Sequence, residues 1–191
     1  KSPVPLVADV HFDFRLALQA LESGAPKVRI NPGNIGGRDK FREVIRCALS
    51  KGAALRLGVN AGSLDRPTLE KYGAATPEAL VESALNYLGI MEEEGFHNVV
   101  VSLKASDVLT TIRAYRLIAP RIPYPLHLGV TEAGPVDTGT IKSCLGIGPL
   151  LVEGIGDTLR VSLTADPVEE VRVARQILQA LKIREFGPEI I

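Results

Sequence analysis

Cations recur on short apolar runs of this sequence. Arg29 stands in 27–30 (KVRI), Arg56 in 54–59 (ALRLGV), Lys104 directly after 98–103 (NVVVSL), and Arg160 in 158–163 (TLRVSL). Groups that give directional hydrogen bonds accompany them: Asn31 and Asn60 follow two of the runs, and Ser162 lies in the last. A guanidinium fork matches phosphate oxygens two at a time and an ammonium adds a point charge, so cations from separate runs suit one polyanion. The competing reading is a set of buried ion pairs, with Asp9, Glu132 and Asp157 as internal counter-charges, because an uncompensated buried cation is costly.

Other residues sharpen the choice. Residues 31–37 (NPGNIGG) form a Gly-rich turn before a helical pattern, where backbone N–H groups and the helix dipole favour anions. No Gly-Lys-Ser/Thr follows, so the turn is not a P-loop. Residues 153–157 (EGIGD) are a second Gly loop, read as a tight helix-to-strand connection. Glu132 follows the run 125–130 and is a carboxylate among cations, placed either to move a proton or to pair with Lys104. Asp9 and His11 share a strand face but make an incomplete metal site. His97 falls at a strand start, away from the chemistry, and His127 reads as packing.

The elements that must position these groups are six short runs, at 5–10, 27–30, 54–59, 98–103, 125–130 and 158–163. Their brevity and Val/Leu content predict strands. Helical patterns lie between them at 14–24, 38–52, 77–95, 107–119, 138–151 and 167–181, with Thr76-Pro77 and Asp166-Pro167 reading as capped starts. Strand, loop and helix repeated without tight hairpins predict a parallel sheet. Polar residues at alternate strand positions favour a (β/α)8 TIM-barrel-type parallel barrel over an open sheet, because a barrel's central face opens to ligand at its strand ends. A whole barrel has eight strands in about 250 residues. The expectation is one partial barrel over 1–191 that carries six strands and lacks the first two. Residues 61–76 are long for a strand-to-helix loop and read as a rim element, a lid or a surface excursion.

Composition narrows the class further. The chain has 191 residues, 46% hydrophobic and 23% charged, with 22 basic and 22 acidic residues. Such a balanced charge recruits neither nucleic acid nor anionic lipid, so any anion site must be local. Cys47 and Cys144 are too few for a disulfide framework or a four-thiolate cluster and read as packed thiols. No apolar run approaches the ~20 residues of a membrane span, and the start shows no signal-peptide pattern. These features predict a cytoplasmic setting.

Six blocks then carry a resemblance: VADVHFD (7–13), VRINPGNIG (28–36), LRLGVNAGSL (55–64), VSLKASDV (101–108), HLGVTEAG (127–134) and EGIGDTLRVSLTADPVEEV (153–171). In order and across essentially the whole chain, they resemble the 4-hydroxy-3-methylbut-2-enyl diphosphate synthase (IspG/GcpE) family. The resemblance implies reductive opening of 2-C-methyl-D-erythritol 2,4-cyclodiphosphate to (E)-4-hydroxy-3-methylbut-2-enyl diphosphate in isoprenoid biosynthesis. It implies electrons from ferredoxin or flavodoxin through a [4Fe-4S] cluster held in a separate C-terminal domain, and a homodimer. Carried over by motif, Arg29, Arg56, Lys104 and Ser162 hold the diphosphate with help from Asn60. Asp9, His11 and Asn31 line the same pocket, and Glu132 assists loss of the carbinol oxygen. None of the cluster ligands matches a residue of this chain, so the piece alone is expected to be inactive. The alternatives are a dihydropteroate-synthase-like barrel enzyme and a non-catalytic barrel scaffold.

Overall fold

The computed structural model describes residues 2–187 and divides into two compact units, Lys1–Leu103 and Lys104–Ile191. Residues 188–191 lie outside the described residues.

In the first unit the order is β1 (Val7–Asp9), α1 (Phe14–Glu22), β2 (Lys27–Ile30), α2 (Arg38–Lys51) and β3 (Ala54–Asn60). A 3-10 turn (Ala61–Ser63), α3 (Arg66–Tyr72), α4 (Pro77–Glu93) and β4 (Val99–Lys104) follow. The four strands lie side by side as β1-β2-β3-β4, and β1–β2 and β2–β3 pair in parallel. Local chemistry sets the helix starts. Asp13 accepts from the Arg15 N–H at 3.0 Å to begin α1, and Thr76 accepts from the Ala79 N–H at 3.2 Å ahead of Pro77 to begin α4. At the other end of α2, Gly52 takes the left-handed conformation that stops a helix, with φ 62°.

Alternation gives the sheet two unlike faces. Val28, Ile30, Leu55, Leu57 and Val59 are buried on one face, the core that α1, α2 and α4 cover. Each such side chain contributes about 1.5–3 kcal/mol by leaving water. The intervening positions, Asp9 and His11, Arg29 and Asn31, Arg56, Gly58 and Asn60, share the opposite face, as the polar alternation predicts.

In the second unit α5 (Val108–Ile118), a 3-10 turn (Ala119–Arg121), β5 (His127–Leu128), α6 (Val136–Val152), β6 (Thr158–Leu159) and α7 (Pro167–Ala180) follow. β5 and β6 pair in parallel, His127 with Thr158 and Leu128 with Leu159. Asp107 caps α5 through the Thr110 N–H at 2.6 Å, and Asp166 caps α7 through the Val168 N–H at 2.9 Å.

The alternating strand–helix order is the one expected, and β2, β3 and β4 keep the expected length, but the other three strands are shorter. The runs 125–130 and 158–163 yield two-residue strands, and the run 5–10 yields three residues. Pro125 offers no N–H to a ladder. Beyond Leu128 one more bond forms, from Arg160 N to Leu128 O at 3.0 Å. The chain then turns away, with Thr131 N bonding Ala105 O at 3.1 Å. Among the described residues, the six strands form a four-stranded and a two-stranded sheet, so no single closed ring is present. No helix among the described residues is long and apolar enough to cross a membrane.

Candidate functional site

In the first unit the polar face carries a charged row. Asp9, Arg29 and Arg56 are successive cross-strand partners on β1, β2 and β3. Arg29 is only 7% exposed. Its Nη1 donates to Asp9 Oδ1 at 3.0 Å and to His11 Nε2 at 2.6 Å. A guanidinium has only donors, so the His11 nitrogen is the acceptor. The internal ion-pair reading therefore holds for Asp9 and Arg29, and Asp9 enters the site as the partner of Arg29. Arg56 is half-buried beside it. Two like charges in neighbouring register repel, so the pair is held close by the fold. Guanidinium groups gathered on one strand face suit an anion.

The neighbouring loops shape its end. Asn31, 2% exposed, uses both ends of its amide within the fold. Its Oδ1 accepts from the Gly33 N–H at 3.1 Å and its Nδ2 donates to Ser63 Oγ at 2.6 Å. Ser63 in turn donates to the Asn60 carbonyl at 3.2 Å, which ties the loop after β2 to the turn after β3. Asn31 thus fixes the Gly-rich turn, and Ser63, which the residue types did not single out, is its fastening. Asn60 Oδ1 and Asn34 Oδ1 are buried side-chain oxygens with no hydrogen-bond partner. Such orphaned acceptors are costly unless a donor arrives. The long stretch 61–76 holds the 3-10 turn and α3. Its helix α3 is pinned to α4 where Tyr72 donates to Glu82 at 2.7 Å.

In the second unit Lys104 lies across the backbone of β5. A Cβ at Gly129 would fall 2.9 Å from its Nζ and 3.1 Å from its Cε. Glu132 is exposed and has φ 52°, a left-handed conformation that a residue other than glycine adopts at a cost of about 1–3 kcal/mol. The loop is held to that shape from both sides, by the Thr131 N bond to Ala105 O and by Thr164 N donating to Gly134 O at 2.9 Å. Ser162 is half-buried beyond the end of β6. Arg160 is half-exposed, with Nε 3.8 Å from Glu170 Oε2. Asp157 serves the fold at the opposite end of β5, where its carboxylate accepts from the Leu126 N–H at 2.8 Å. His127 packs as expected, 6% exposed, with Nδ1 2.8 Å from Thr158 Oγ1. A groove of about 440 Å³ against β6 and α7 is bordered by Asp157 but not by Lys104, Glu132, Arg160 or Ser162.

The packed-thiol reading fits Cys47, which is half-buried, and is corrected for Cys144, which is exposed on the outer side of its helix. Cys47 lies on α2 and Cys144 on α6, and burial pushes both thiols up, away from the thiolate that metal ligation requires. Among the described residues no group of three or more His, Cys, Asp or Glu could hold a metal ion.

A family model described as the GcpE TIM-barrel domain matches residues 1–175. The chain is 57% identical over 188 residues to the 4-hydroxy-3-methylbut-2-en-1-yl diphosphate synthase (flavodoxin) of Caldanaerobacter subterraneus subsp. tengcongensis, with 98% of this chain and 53% of that protein covered. It is 58% identical over 190 residues to the protein of the same name from Lawsonia intracellularis, with 100% and 53% covered. The corresponding values for the Geobacter sulfurreducens protein are 56% over 191 residues, with 100% and 54% covered. The chain spans about half the length of the curated relatives it matches. Among solved structures, HPPK-DHPS in complex with substrates aligns with a TM-score of 0.58 at 14% identity, over 94% of this chain and 33% of that one. The 2,3-dimethylmalate lyase of the PEP mutase/isocitrate lyase superfamily aligns with a TM-score of 0.53 at 14% identity, over 92% and 61%. Identity so low makes these likenesses of fold alone.

Proposed function

The chain belongs to the GcpE TIM-barrel domain family, and on that premise we propose that it is the substrate-holding barrel part of a 4-hydroxy-3-methylbut-2-enyl diphosphate synthase. The substrate on this reading is 2-C-methyl-D-erythritol 2,4-cyclodiphosphate, opened reductively to (E)-4-hydroxy-3-methylbut-2-enyl diphosphate. The observation that carries it is the in-register row of Asp9, Arg29 and Arg56 on the polar face of β1–β3.

Each residue has a task in this reading. Arg29 and Arg56 bind the diphosphate oxygens, and Lys104 adds a point charge. Asn60 and Ser162 supply hydrogen bonds, while Asp9, His11 and Asn31 hold the cations and the loop that face the ligand. Asp9 keeps Arg29 oriented before the anion arrives, which spares the ordering of a long side chain on binding. Glu132 delivers the proton that lets the carbinol oxygen leave as water. Reduction needs electrons, and the family resemblance assigns them to a [4Fe-4S] cluster fed by flavodoxin or ferredoxin. The residues present do not fit that cluster, given two separate cysteines with raised thiols. No step of this reading runs through it in the chain described. The cluster, the homodimer and a cytosolic setting belong to the proposal for the whole protein.

The test is cyclodiphosphate turnover by the full-length protein with reduced flavodoxin, alongside calorimetric binding of the same ligand. Arg56→Ala and Lys104→Ala should each weaken affinity about tenfold or more, the worth of a charge-assisted bond. Unchanged affinity in both variants would remove the diphosphate assignment. Tighter binding of a pterin diphosphate than of the cyclodiphosphate would favour the dihydropteroate-type reading instead.

A further inference from the structure

Gly58 lies in the middle of β3, on the face that carries Arg29 and Arg56. Glycine in a strand interior weakens it by about 0.5–1 kcal/mol relative to alanine, so its presence there calls for a cause. The backbone supplies none, because Gly58 is not among the glycines of positive φ. The neighbouring side chain does. A Cβ at position 58 would fall 2.7 Å from Arg29 Nε, 3.1 Å from Nη2 and 3.3 Å from Cζ. The guanidinium therefore lies against the bare α-carbon.

Arg29 has little freedom to step aside. Its side chain is 9% exposed, and Nη1 is held by Asp9 at 3.0 Å and by His11 Nε2 at 2.6 Å. A methyl group at position 58 would push the fork out of its plane and away from those partners. The second unit repeats the device. Gly129 on the exit from β5 has Lys104, the last residue of β4, lying against it. Both glycines stand in a Leu-Gly-Val sequence, at 57–59 and 128–130, and each receives the cation of the strand that precedes its own. At Gly129 a Cβ would also meet the Arg160 carbonyl at 2.7 Å, so that glycine serves strand packing as well.

We propose that Gly58 is a positioning residue, the seat that fixes the plane of the Arg29 fork toward the diphosphate, and that Gly129 seats Lys104 in the same manner. The inference rests on the assignment of these cations to the diphosphate. It adds the residue that sets their orientation.

A double-mutant cycle in the full-length protein tests it, with cyclodiphosphate affinity by calorimetry and kcat and KM as readouts. Gly58→Ala should weaken affinity about tenfold, seen as a raised KM with kcat largely kept. Arg29→Lys should weaken affinity by itself, since an unbranched amine loses the fork. Adding Gly58→Ala to Arg29→Lys should then cost less than about twofold more, because no guanidinium is left to displace. Wild-type affinity in Gly58→Ala, an equal further loss in both backgrounds, or unfolding in both would overturn the seat. Were Arg29→Lys alone without effect on affinity, the assignment of Arg29 to the diphosphate would fall, and the seat with it.

Discussion

Arg29 and Asp9 face each other across β2 and β1 as register partners, and Arg29 Nη1 reaches Asp9 Oδ1 at 3.0 Å. The pair sets an almost fully buried cation on the polar face and holds it with a carboxylate that keeps 39% of its side-chain surface. Asp9→Asn removes the countercharge and leaves the guanidinium with His11. The expected loss is about 1–2 kcal/mol, trimmed from the fully buried value by the solvent around Asp9. It is read as a lower urea midpoint at unchanged slope, and an unmoved midpoint would mean that the pair does nothing for the fold.

Glu132 combines a carboxylate with φ 52°. Glu132→Gln keeps the backbone and removes the acid, so kcat of the full-length enzyme should fall by about 10²–10⁴ while KM changes little. Glu132→Gly should also lose turnover, yet stabilise the fold by about 0.5–1 kcal/mol as the left-handed strain is relieved. A barrel scaffold without catalysis would show the second effect and not the first.

Stability at low pH should depend on Glu94. Hydrogen bonds from Arg46 and Arg42 hold its carboxyl down from 4.5 to about 2. Arg46 donates at 2.8 Å and 3.0 Å and Arg42 at 2.7 Å, which ties α2 to the end of α4. The folded value lies below the unfolded one, so this contribution is complete above pH 4.5 and is lost as pH falls toward 2. Glu94→Gln should flatten the fall in urea midpoint across that window. An equally steep fall in the variant would assign the acid limb to other carboxylates.

Asp107 follows the Lys104 strand end closely, yet its carboxylate is spent on the Thr110 N–H at 2.6 Å, and the hydrogen bonds with Thr110 hold its pKa below the ordinary aspartate value. Asp107→Ala should cost about 1 kcal/mol as a lost helix cap. Cyclodiphosphate affinity measured on the same sample should stay as in the wild type. A large drop in affinity at unchanged stability would move Asp107 into the site.

How much of this was legible in the residues varies with the range of the interaction. The order of strands and helices, the caps at Thr76 and Asp166, and the polar alternation of Arg29 with Asn31 and Arg56 with Asn60 are local patterns, fixed within a few positions of chain. They sufficed for the parallel α/β reading and for the set of strand-end residues. Strand lengths were overstated at 125–130 and 158–163, because pairing ends where a partner's backbone turns away, as at Gly129 and Thr131.

The sequence by itself determined on which face of its strand each of Arg29, Asn31, Arg56 and Asn60 lies. Only the tertiary structure decided what they do there. Asp9 holds Arg29, Asn31 closes its own loop against Ser63, and Gly58 exists for its neighbour's guanidinium. The reason is physical: alternation along a strand follows from covalent geometry, whereas the pairing of Asp9 with Arg29 and the seating of Arg29 on Gly58 require separate strands to come into register, a non-local event that no local spacing encodes.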